Sequence, residues 1–339
     1  MVKRLRPLKG RRVVELCGLL PCPMLGLLLS DLGAEVTKVE PPEGDPVRGV
    51  PPLAFGVGLM YHALNRGKRV VKLNIKQKAQ RKSLIKTISS SDILMEGFRP
   101  GVMERLGLDP DYLTGLNPDL LIVRMSAFGQ NLPDRPAHDL NLMALSGALG
   151  VQDGDQPLPV QAADMTTALI GAIAVLSALS QGITGVLDVP LFYGAHFIGF
   201  PVYTRFTKPK DLRENRLLEG GNPLYRLYST GDQRRVSVAA LEPGFVQQVM
   251  GVTGLKDVSE KALTSWFSAR TLNEVIQAFS EKAACVEPVL MPWEVSEKGF
   301  SRPLFAPLSY QGSDFLLPIT PFADQDRIPA GPWVDLDEA

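Results

Sequence analysis

The sequence predicts an α/β fold, with a parallel sheet flanked by helices and a second, smaller unit of strands and helices. The first observation is that short apolar runs alternate with helical patterns over about the first 130 residues, as in sheets whose parallel strands are joined by crossover helices. The second is the length of 339 residues, which suits about two domains. The third is a composition of 45% hydrophobic and 21% charged residues, typical of globular chains.

The elements of the large unit follow one another at regular spacing. Apolar runs predict strands at 12–16, 35–40, 69–74, 92–96 and 120–126, and helical patterns lie at 21–33, 77–89, 101–106 and 110–116. Because crossovers between parallel strands are right-handed, this order predicts a doubly wound sheet. Two mostly apolar helices, 138–150 and 164–179, and a strand at 186–189 complete the unit.

A polar stretch at 208–215 predicts a linker to the smaller unit. There, 225–229 and 235–239 predict a hairpin, and helices follow near 243–252 and 272–282. The proline-rich tail after Arg302 shows little periodicity, so we expect it to pack over the surface of the large unit. We place the large domain at 1–205, completed by 306–339, and the linkers and small domain at 206–305.

The charge balance and the apolar stretches exclude several classes of partner. The 36 basic and 36 acidic side chains cancel, whereas proteins that bind nucleic acid or acidic membranes usually carry a basic excess. The apolar stretch at 16–30 is interrupted by Pro21 and Pro23, and the one at 165–187 is solidly apolar over too short a length to span a bilayer. We read the second as a buried helix and expect no nucleic acid and no membrane among the partners.

The cysteines and the short motifs point to an intracellular protein without a metal or a common nucleotide-binding loop. Cys17, Cys22 and Cys285 form no disulfide framework in the sequence and suit a reducing, cytoplasmic location. The glycine motifs of dinucleotide sites and of P-loops do not occur, and no His/Cys cluster predicts a metal.

The segment from Arg66 to Lys86 is strongly basic. It contains nine Lys or Arg residues and no Asp or Glu. Two interpretations stay open for 78–86, a solvated helix face or a ligand surface. For Arg66–Lys76 we favour an anionic small molecule, because a strand-to-helix edge suits phosphate groups. Nucleic acid is less favoured because no aromatic residues are interleaved for base stacking.

Three polar residues stand at the starts of predicted helices. His138 precedes Asp139, which would stabilise the beginning of an apolar helix. Asp164 opens another apolar helix, either as its N-cap or as a carboxyl group whose proton affinity is tuned for acid–base or nucleophilic chemistry. Glu242 has the same two interpretations. His196 is read as a packed helix residue, and His62 has no partner that the sequence reveals.

Taken together, these segments resemble the class III CoA transferases, the group that also contains alpha-methylacyl-CoA racemase. The resemblance runs from about Arg12 to Pro307 and is carried by the order and spacing of several motifs rather than by any one of them. They are the segments 12–16, 29–45, 64–69, 98–108, 137–141, 163–165, 240–245 and 284–290.

The resemblance implies a Rossmann-like large domain, a smaller α+β domain and a homodimer of interlocked chains that processes an acyl-CoA. By similarity, the CoA-binding residues are Leu73, Asn74, Ile75, Lys76, Arg99, Ala137, Asp139, Leu140, Asn141 and Leu142. The catalytic residues are His138 and Asp164, with Glu242 in support. No cofactor is implied beyond the CoA moiety of the substrate.

The resemblance implies one of two reactions, and a histidine distinguishes the enzymes that carry them out. In the racemases a His at the position of His138 and an Asp at that of Asp164 act as paired bases on the alpha-carbon of a thioester. In the transferases the Asp attacks the thioester and forms an acyl-enzyme, and the His is typically lacking. We therefore favour racemisation, with transfer as the alternative and a non-catalytic acyl-CoA-binding protein as a second alternative.

The sequence departs from the racemase pattern at several positions. Asp164 is followed by Met165-Thr166-Thr167 rather than by a glycine-rich run, and Pro41 and Asp119 stand where basic residues are common. The closing C-terminal segment of the family also differs. These departures concern substrate specificity and activity.

Overall fold

The structure, a computed structural model, describes residues 5–132, 135–214, 216–297, 304–324, 328–329 and 332–334. It divides into two compact units. The first comprises Met1–Leu149, Asp155–Phe200 and Phe300–Ala339, and the second Gly150–Gly154 and Pro201–Gly299. The predicted boundaries at 205 and 306 lie a few residues beyond those of the observed units. Asn215 of the predicted linker and residues 335–339 of the tail lie outside the described residues.

The first unit and the segment that leaves it contain most of the regular structure. Its elements are β1 (Arg12–Leu16), α1 (Pro21–Asp31), β2 (Glu35–Glu40), β3 (Leu53–Ala54), β4 (Val57–Gly58), α2 (Leu59–Asn65), β5 (Arg69–Lys72), α3 (Lys78–Ser89), β6 (Ile93–Glu96), α4 (Val102–Arg105), α5 (Pro110–Leu116), β7 (Leu121–Arg124), α6 (Asp139–Leu145), α7 (Ala162–Ser180), β8 (Gly185–Asp188), α8 (Leu191–Ile198) and α9 (Phe200–Arg205).

Six of these strands form one parallel sheet, in the order β5-β2-β1-β6-β7-β8. The predicted α/β fold with a parallel sheet is therefore confirmed. From β1 the chain first builds outward on one side through β2 and β5, and then on the other side through β6, β7 and β8. The topological switch point lies between β1 and β6, where open α/β sheets bind their ligands at the carboxyl ends of the strands.

The two faces of the sheet carry separate apolar cores, because successive side chains of a strand point to opposite faces. Val13, Ile93 and Leu121 pack on one face with residues of α1 and α7. Val14 and Leu94 pack on the other face with residues of α3, α4 and α5. Burial of strands on both faces explains why they read as continuous apolar runs in the sequence.

Helix α7 is only partly buried, so the prediction of a buried helix is wrong for one of its faces. Among the described residues it is one helix that is long and apolar enough to cross a membrane by length and composition, with 44% of its most apolar window buried. Ala163, Ala168 and Val175 lie in the core, whereas Leu169 and Ile173 are exposed. A core helix passes the same length and composition test, so the apolar character of α7 does not by itself indicate a membrane.

The second unit is a small α+β structure, as predicted. Its elements are α10 (Asp211–Glu214), β9 (Tyr225–Ser229), β10 (Arg235–Ala239), α11 (Pro243–Thr253), α12 (Glu260–Ser268), α13 (Leu272–Phe279) and β11 (Val286–Pro288). The strands form an antiparallel sheet in the order β11-β10-β9. Thr271 caps α13 by accepting a hydrogen bond from the Glu274 N–H, and the Glu274 side chain accepts from the Thr271 N–H.

The tail contains a hairpin that the sequence did not predict. Its strands β12 (Phe305–Tyr310) and β13 (Ser313–Pro318) pair antiparallel around Gln311 and Gly312. Leu308 and Leu317 pack with Ala54 and Trp333 in one buried cluster of the first unit. The prolines interrupt the alternating pattern from which strands are predicted. They are tolerated here because both strands of a two-stranded sheet are edge strands.

Candidate active site

The carboxyl ends of β1 and β6 open into two adjoining cavities. The first, which we call the Pro41 cavity, has a volume of about 370 Å³ and lies between Pro41–Pro46 and Leu73–Lys76. The second, the central cavity, has a volume of about 350 Å³ and contains His138 and Asp164 in its lining. Gly18, Gly97 and Phe98 line both cavities. The two cavities are thus neighbours at the switch point of the sheet.

The Pro41 cavity contains the stretch predicted to bind CoA. Leu73, Asn74, Ile75 and Lys76 all line it. The Leu73 N–H donates to the Glu40 carbonyl, and the Asn74 side chain accepts from the Lys76 N–H at 3.2 Å. These bonds hold the turn between β5 and α3, and the Lys76 side chain is exposed.

Two cations of the basic segment are not available to a ligand, which corrects the prediction for Arg66–Lys76. The Arg66 guanidinium forms two hydrogen bonds to the Asp31 carboxylate, at 2.7 and 2.6 Å, and is almost fully buried. The Lys68 ammonium is buried against Glu15 at 2.8 Å. An ion that already has a buried counter-ion offers no free charge to a phosphate, so within 66–76 the exposed charges are those of residues such as Arg69 and Lys76.

His138 and Asp164 come together at the starts of two neighbouring helices. His138 directly precedes α6, and its backbone N–H donates to the Asn141 side chain at 3.1 Å. Asp139 accepts a hydrogen bond from the Asp164 N–H at 3.0 Å. Asp139 therefore stabilises the beginning of α7 as well as that of its own helix. This bond joins residues 25 positions apart in the sequence.

Asp164 is not the N-cap of α7, so that interpretation is wrong. Gln161 flanks the helix, and Asp164 is the third residue within it. Among the described residues, no hydrogen bond or ion pair of the Asp164 carboxylate is formed. Partial burial, and secondly the negative charge of Asp139, raise the pKa of Asp164 to about 7. The group can therefore hold or release a proton near neutral pH.

The other predicted site residues lie in three different surroundings. Arg99 and Ala137 line the central cavity. Leu140 lines a third cavity of about 300 Å³, the Leu158 cavity, together with His138, Asp139, Met143, Leu149, Pro157, Leu158, Val160, Gln161 and Asp164. Asn141 is exposed, and the Leu142 side chain is fully buried in the core. Glu242 belongs to the second unit, where it directly precedes α11 with its side chain exposed and making no cap hydrogen bond.

The remaining histidines differ from what the sequence suggested. His196 lies on α8 and is exposed rather than packed. His62 is fully buried in α2, with its Nε2 atom 3.1 Å from the Ala54 carbonyl oxygen.

The structure joins Cys17 and Cys22 in a disulfide, a pairing that the sequence did not predict. The bond links the residue after β1 to the first turn of α1, and Cys22 lines the central cavity. The two residues are five positions apart. The tight turn between strand and helix brings them together, a proximity that residue spacing alone does not reveal.

Buried ion pairs hold the loops that line the cavities, and sequence reasoning missed them. Lys38 lies between Glu15 at 3.1 Å and Asp45 at 3.0 Å, with all three side chains excluded from solvent. Glu96 accepts from Arg124 at 2.5 Å and from the Phe98 N–H at 2.7 Å. The available signal was a charged residue within an apolar strand, as at Glu15, or at its end, as at Glu96.

A larger cavity, of about 720 Å³, lies at the amino ends of the strands, beside Arg12, Glu35 and Arg69. The C-terminal ends of α1 and α3 also line it, through residues such as Ser30 and Ser90. Open α/β sheets bind their ligands at the carboxyl ends of the strands, which is the end with His138 and Asp164 and not the end with this cavity.

Known proteins are similar in sequence to this chain over most of its length. The chain matches the family described as CoA-transferase family III over residues 8–308. The chain belongs to CoA-transferase family III. A CaiB/baiF CoA-transferase family protein of Caenorhabditis elegans is 31% identical over 317 residues, covering 87% of this chain and 89% of that protein. The alpha-methylacyl-CoA racemase of Homo sapiens is 32% identical over 314 residues, covering 85% and 79%.

The fold of this family III member also matches solved structures. A CaiB/BaiF family protein from Brucella suis superposes with a TM-score of 0.77 at 24% identity, covering 94% of this chain and 97% of that chain. At this identity the likeness shows the fold, and the family match over residues 8–308 confirms the predicted family. Family III has enzymes named for racemisation and for CoA transfer, so membership leaves these two activities to be separated by the site.

Proposed function

We propose that the protein is an acyl-CoA enzyme of the racemase type, which moves a proton at the alpha-carbon of a CoA thioester. The observation that carries this proposal is that His138 and Asp164 line the same cavity, at the starts of two helices joined by the Asp139 hydrogen bond. Racemisation needs two groups that each remove and return a proton.

The raised pKa of Asp164 supports its role in this reaction. A carboxyl group with an ordinary pKa near 4 holds almost no proton at neutral pH, so it is a poor acid there. With a pKa of about 7, Asp164 is present in both forms. It can thus act as the base for one epimer and as the acid for the other.

In this proposal the CoA moiety lies along the switch point of the sheet. Its phosphates contact the Pro41 cavity through the turn at Leu73–Lys76, and Arg99 contributes a second cation. The thioester reaches His138 and Asp164 in the central cavity, beside Ala137. The CoA moiety is the one cofactor that this reaction requires, and it uses no metal.

CoA transfer is the second candidate, and one observation favours it. The Asp164 carboxylate forms no hydrogen bond with the described residues, so its oxygens are free to attack a thioester carbon. Met165 and Thr166 follow it where racemases usually have glycine. In this alternative Asp164 is acylated and His138 is not essential.

We also propose an interlocked homodimer in the cytoplasm, without nucleic acid or membrane partners. Large apolar side chains of α7 and α8 are exposed in the single chain, including Ile173 at 66%, Tyr193 at 56% and Phe197 at 66%. Exposed apolar residues this close together are typical of a protein–protein contact. A second copy of the chain is the occupant that the family resemblance supports.

The decisive experiment compares alpha-proton exchange with CoA exchange. Purified enzyme is incubated in D2O with 2-methylacyl-CoAs, and separately with an acyl-CoA and a free acid. The racemase reading predicts deuterium wash-in with inversion at the alpha-carbon. Because inversion needs both groups, His138→Ala and Asp164→Ala should each abolish racemisation and leave at most deuterium exchange of one epimer.

The outcomes separate the three candidate functions. A hydroxylamine-trappable acyl group on Asp164, formed without alpha-deuterium exchange and retained in His138→Ala, would show a transferase and defeat the racemase reading. CoA binding with neither reaction would show a binding protein.

A further inference from the structure

The Leu158 cavity adjoins the proposed reaction centre. It shares His138 and Asp164 with the central cavity, so one group of reacting side chains faces two spaces. In an acyl-CoA, the thioester joins the CoA moiety to the acyl group. If the CoA moiety lies in the Pro41 cavity and the thioester in the central cavity, the Leu158 cavity is on the acyl side of the thioester.

The lining of the Leu158 cavity is mostly apolar. Met143 is buried, whereas Leu140, Leu158 and Val160 are 51%, 38% and 58% exposed. Removing such surface from water is favourable, and the free energy grows with each methylene group covered. Exposed apolar side chains beside two carboxyl groups therefore favour an apolar ligand at this position.

The charges in the Leu158 cavity disfavour an anionic ligand. Of the described residues, those that line it include Asp139 and Asp164 but no Lys or Arg. An acyl group ending in a carboxylate would add a negative charge beside these two, with no cation to offset the repulsion or the loss of hydration. The central cavity has Arg99 and Arg135 in its lining, so an anionic acyl group would have to bind there instead.

We propose that the Leu158 cavity binds the acyl group of the substrate and selects uncharged, apolar acyl groups against those ending in a carboxylate. This inference rests on the proposed acyl-CoA function, but it is the same for racemisation and for CoA transfer. It assigns Leu158 and Val160 as residues that determine specificity.

Calorimetry on the full-length protein tests the proposal with CoA, butyryl-CoA, octanoyl-CoA and succinyl-CoA. Butyryl and succinyl groups have the same number of carbons and differ in the terminal carboxylate. Affinity should rise from CoA to butyryl-CoA to octanoyl-CoA, by roughly fourfold for each methylene group that is covered. Succinyl-CoA should bind about tenfold or more weakly than butyryl-CoA, because one extra buried charge has no partner.

A charge introduced into the cavity gives a reciprocal test. Leu158→Arg and Val160→Lys should each strengthen succinyl-CoA binding, weaken octanoyl-CoA binding and leave CoA itself unchanged. Leu116→Arg is the matched control, because Leu116 is an exposed apolar residue at the end of α5 that does not line the cavity. It should change none of the affinities.

The results separate this inference from the proposed function. If CoA alone does not bind, the acyl-CoA function is wrong, and the inference fails with it. If CoA binds but affinity does not depend on acyl length, or if succinyl-CoA binds most tightly, the proposed function stands and the assignment of the Leu158 cavity is overturned.

Discussion

At the scale of single residues, the candidate site brings two carboxyl groups close together. Asp139 and Asp164 approach each other because one accepts the backbone N–H of the other. This arrangement stabilises the beginning of α7 but raises the pKa of Asp164 to about 7 through partial burial and repulsion. The raised pKa that the proposed proton transfer requires is thus a cost to the stability of the fold.

The first prediction is that Asp164→Asn stabilises the protein at high pH. The unfolded carboxyl has a pKa near 3.9, so between about pH 4 and 7 the folded state binds more protons and stability falls as pH rises. Above pH 7 the full penalty is present. The variant should gain about 1–2 kcal/mol at pH 8, after allowance for solvent screening of the partly exposed group, and nothing near pH 4.

Thermal unfolding at the two pH values measures this difference. The melting temperature should rise by about 2–4 °C for each kcal/mol at pH 8. An equal gain at both pH values would show that the effect comes from packing and not from ionisation.

The second prediction concerns the exposed cation beside the Pro41 cavity. Lys76→Glu should weaken CoA binding about tenfold or more, because a charge-assisted hydrogen bond to phosphate is replaced by repulsion. Lys86→Glu is the control, since Lys86 is exposed on the same basic segment but does not line the cavity. If calorimetry gives the same CoA affinity for both variants, the CoA phosphates do not bind beside Lys76.

At the scale of elements, buried charges position the strand ends. Glu96 is the last residue of β6, and its carboxylate holds both Arg124 of β7 and the Phe98 N–H. The following loop lines the two cavities at the switch point. The Glu96 carboxylate thus fixes the position of the loop after β6 relative to the sheet. At β1, burial lowers the pKa of Lys68 to about 8 against the attraction of Glu15.

The third prediction compares two glutamates that contact Arg124. Glu96 is fully buried, whereas Glu104 is 37% exposed and 3.1 Å from the guanidinium. Glu96→Gln should destabilise the fold by about 3 kcal/mol, since it leaves a buried cation underpaired, whereas Glu104→Gln should cost at most about 0.5 kcal/mol.

Denaturant unfolding and CoA calorimetry together test this comparison. Glu96→Gln should also weaken CoA binding at temperatures where the variant is folded, because the Phe98 loop loses an anchor. A purely structural role would lower stability and leave the affinity of the folded variant unchanged.

At the scale of the whole molecule, large apolar side chains of α7 and α8 are exposed, and the proposed homodimer would cover them. We predict a homodimer with about twice the chain mass of 36.9 kDa by light scattering. Because interlocked chains cannot separate without unfolding, the dimer should persist on dilution. Two differently tagged preparations should exchange subunits only after unfolding and refolding. A monomer at micromolar concentration would contradict the prediction, and subunit exchange in native buffer would contradict interlocking.

Much of the fold follows from the sequence because its signals are local. A parallel strand that is buried on both faces is apolar over most of its length, as in Ile93–Glu96 up to its last residue. The six-stranded sheet and the small α+β unit were predictable for this reason. The hairpin at Phe305–Pro318 was missed because its prolines interrupt the alternation that identifies strands.

The sequence by itself determined which residue types were available for chemistry and, through the resemblance, the family to which they belong. Only the tertiary structure decided how they are used. Arg66 and Lys68 read as ligand-binding cations, but Asp31 and Glu15, distant in sequence, neutralise them. Asp164 had two interpretations, a helix cap or a tuned carboxyl group. Asp139 on another helix accepts the Asp164 N–H, and burial, together with the charge of Asp139, raises the pKa of Asp164. The physical reason is that charge and desolvation depend on distance in space, which residue spacing does not record.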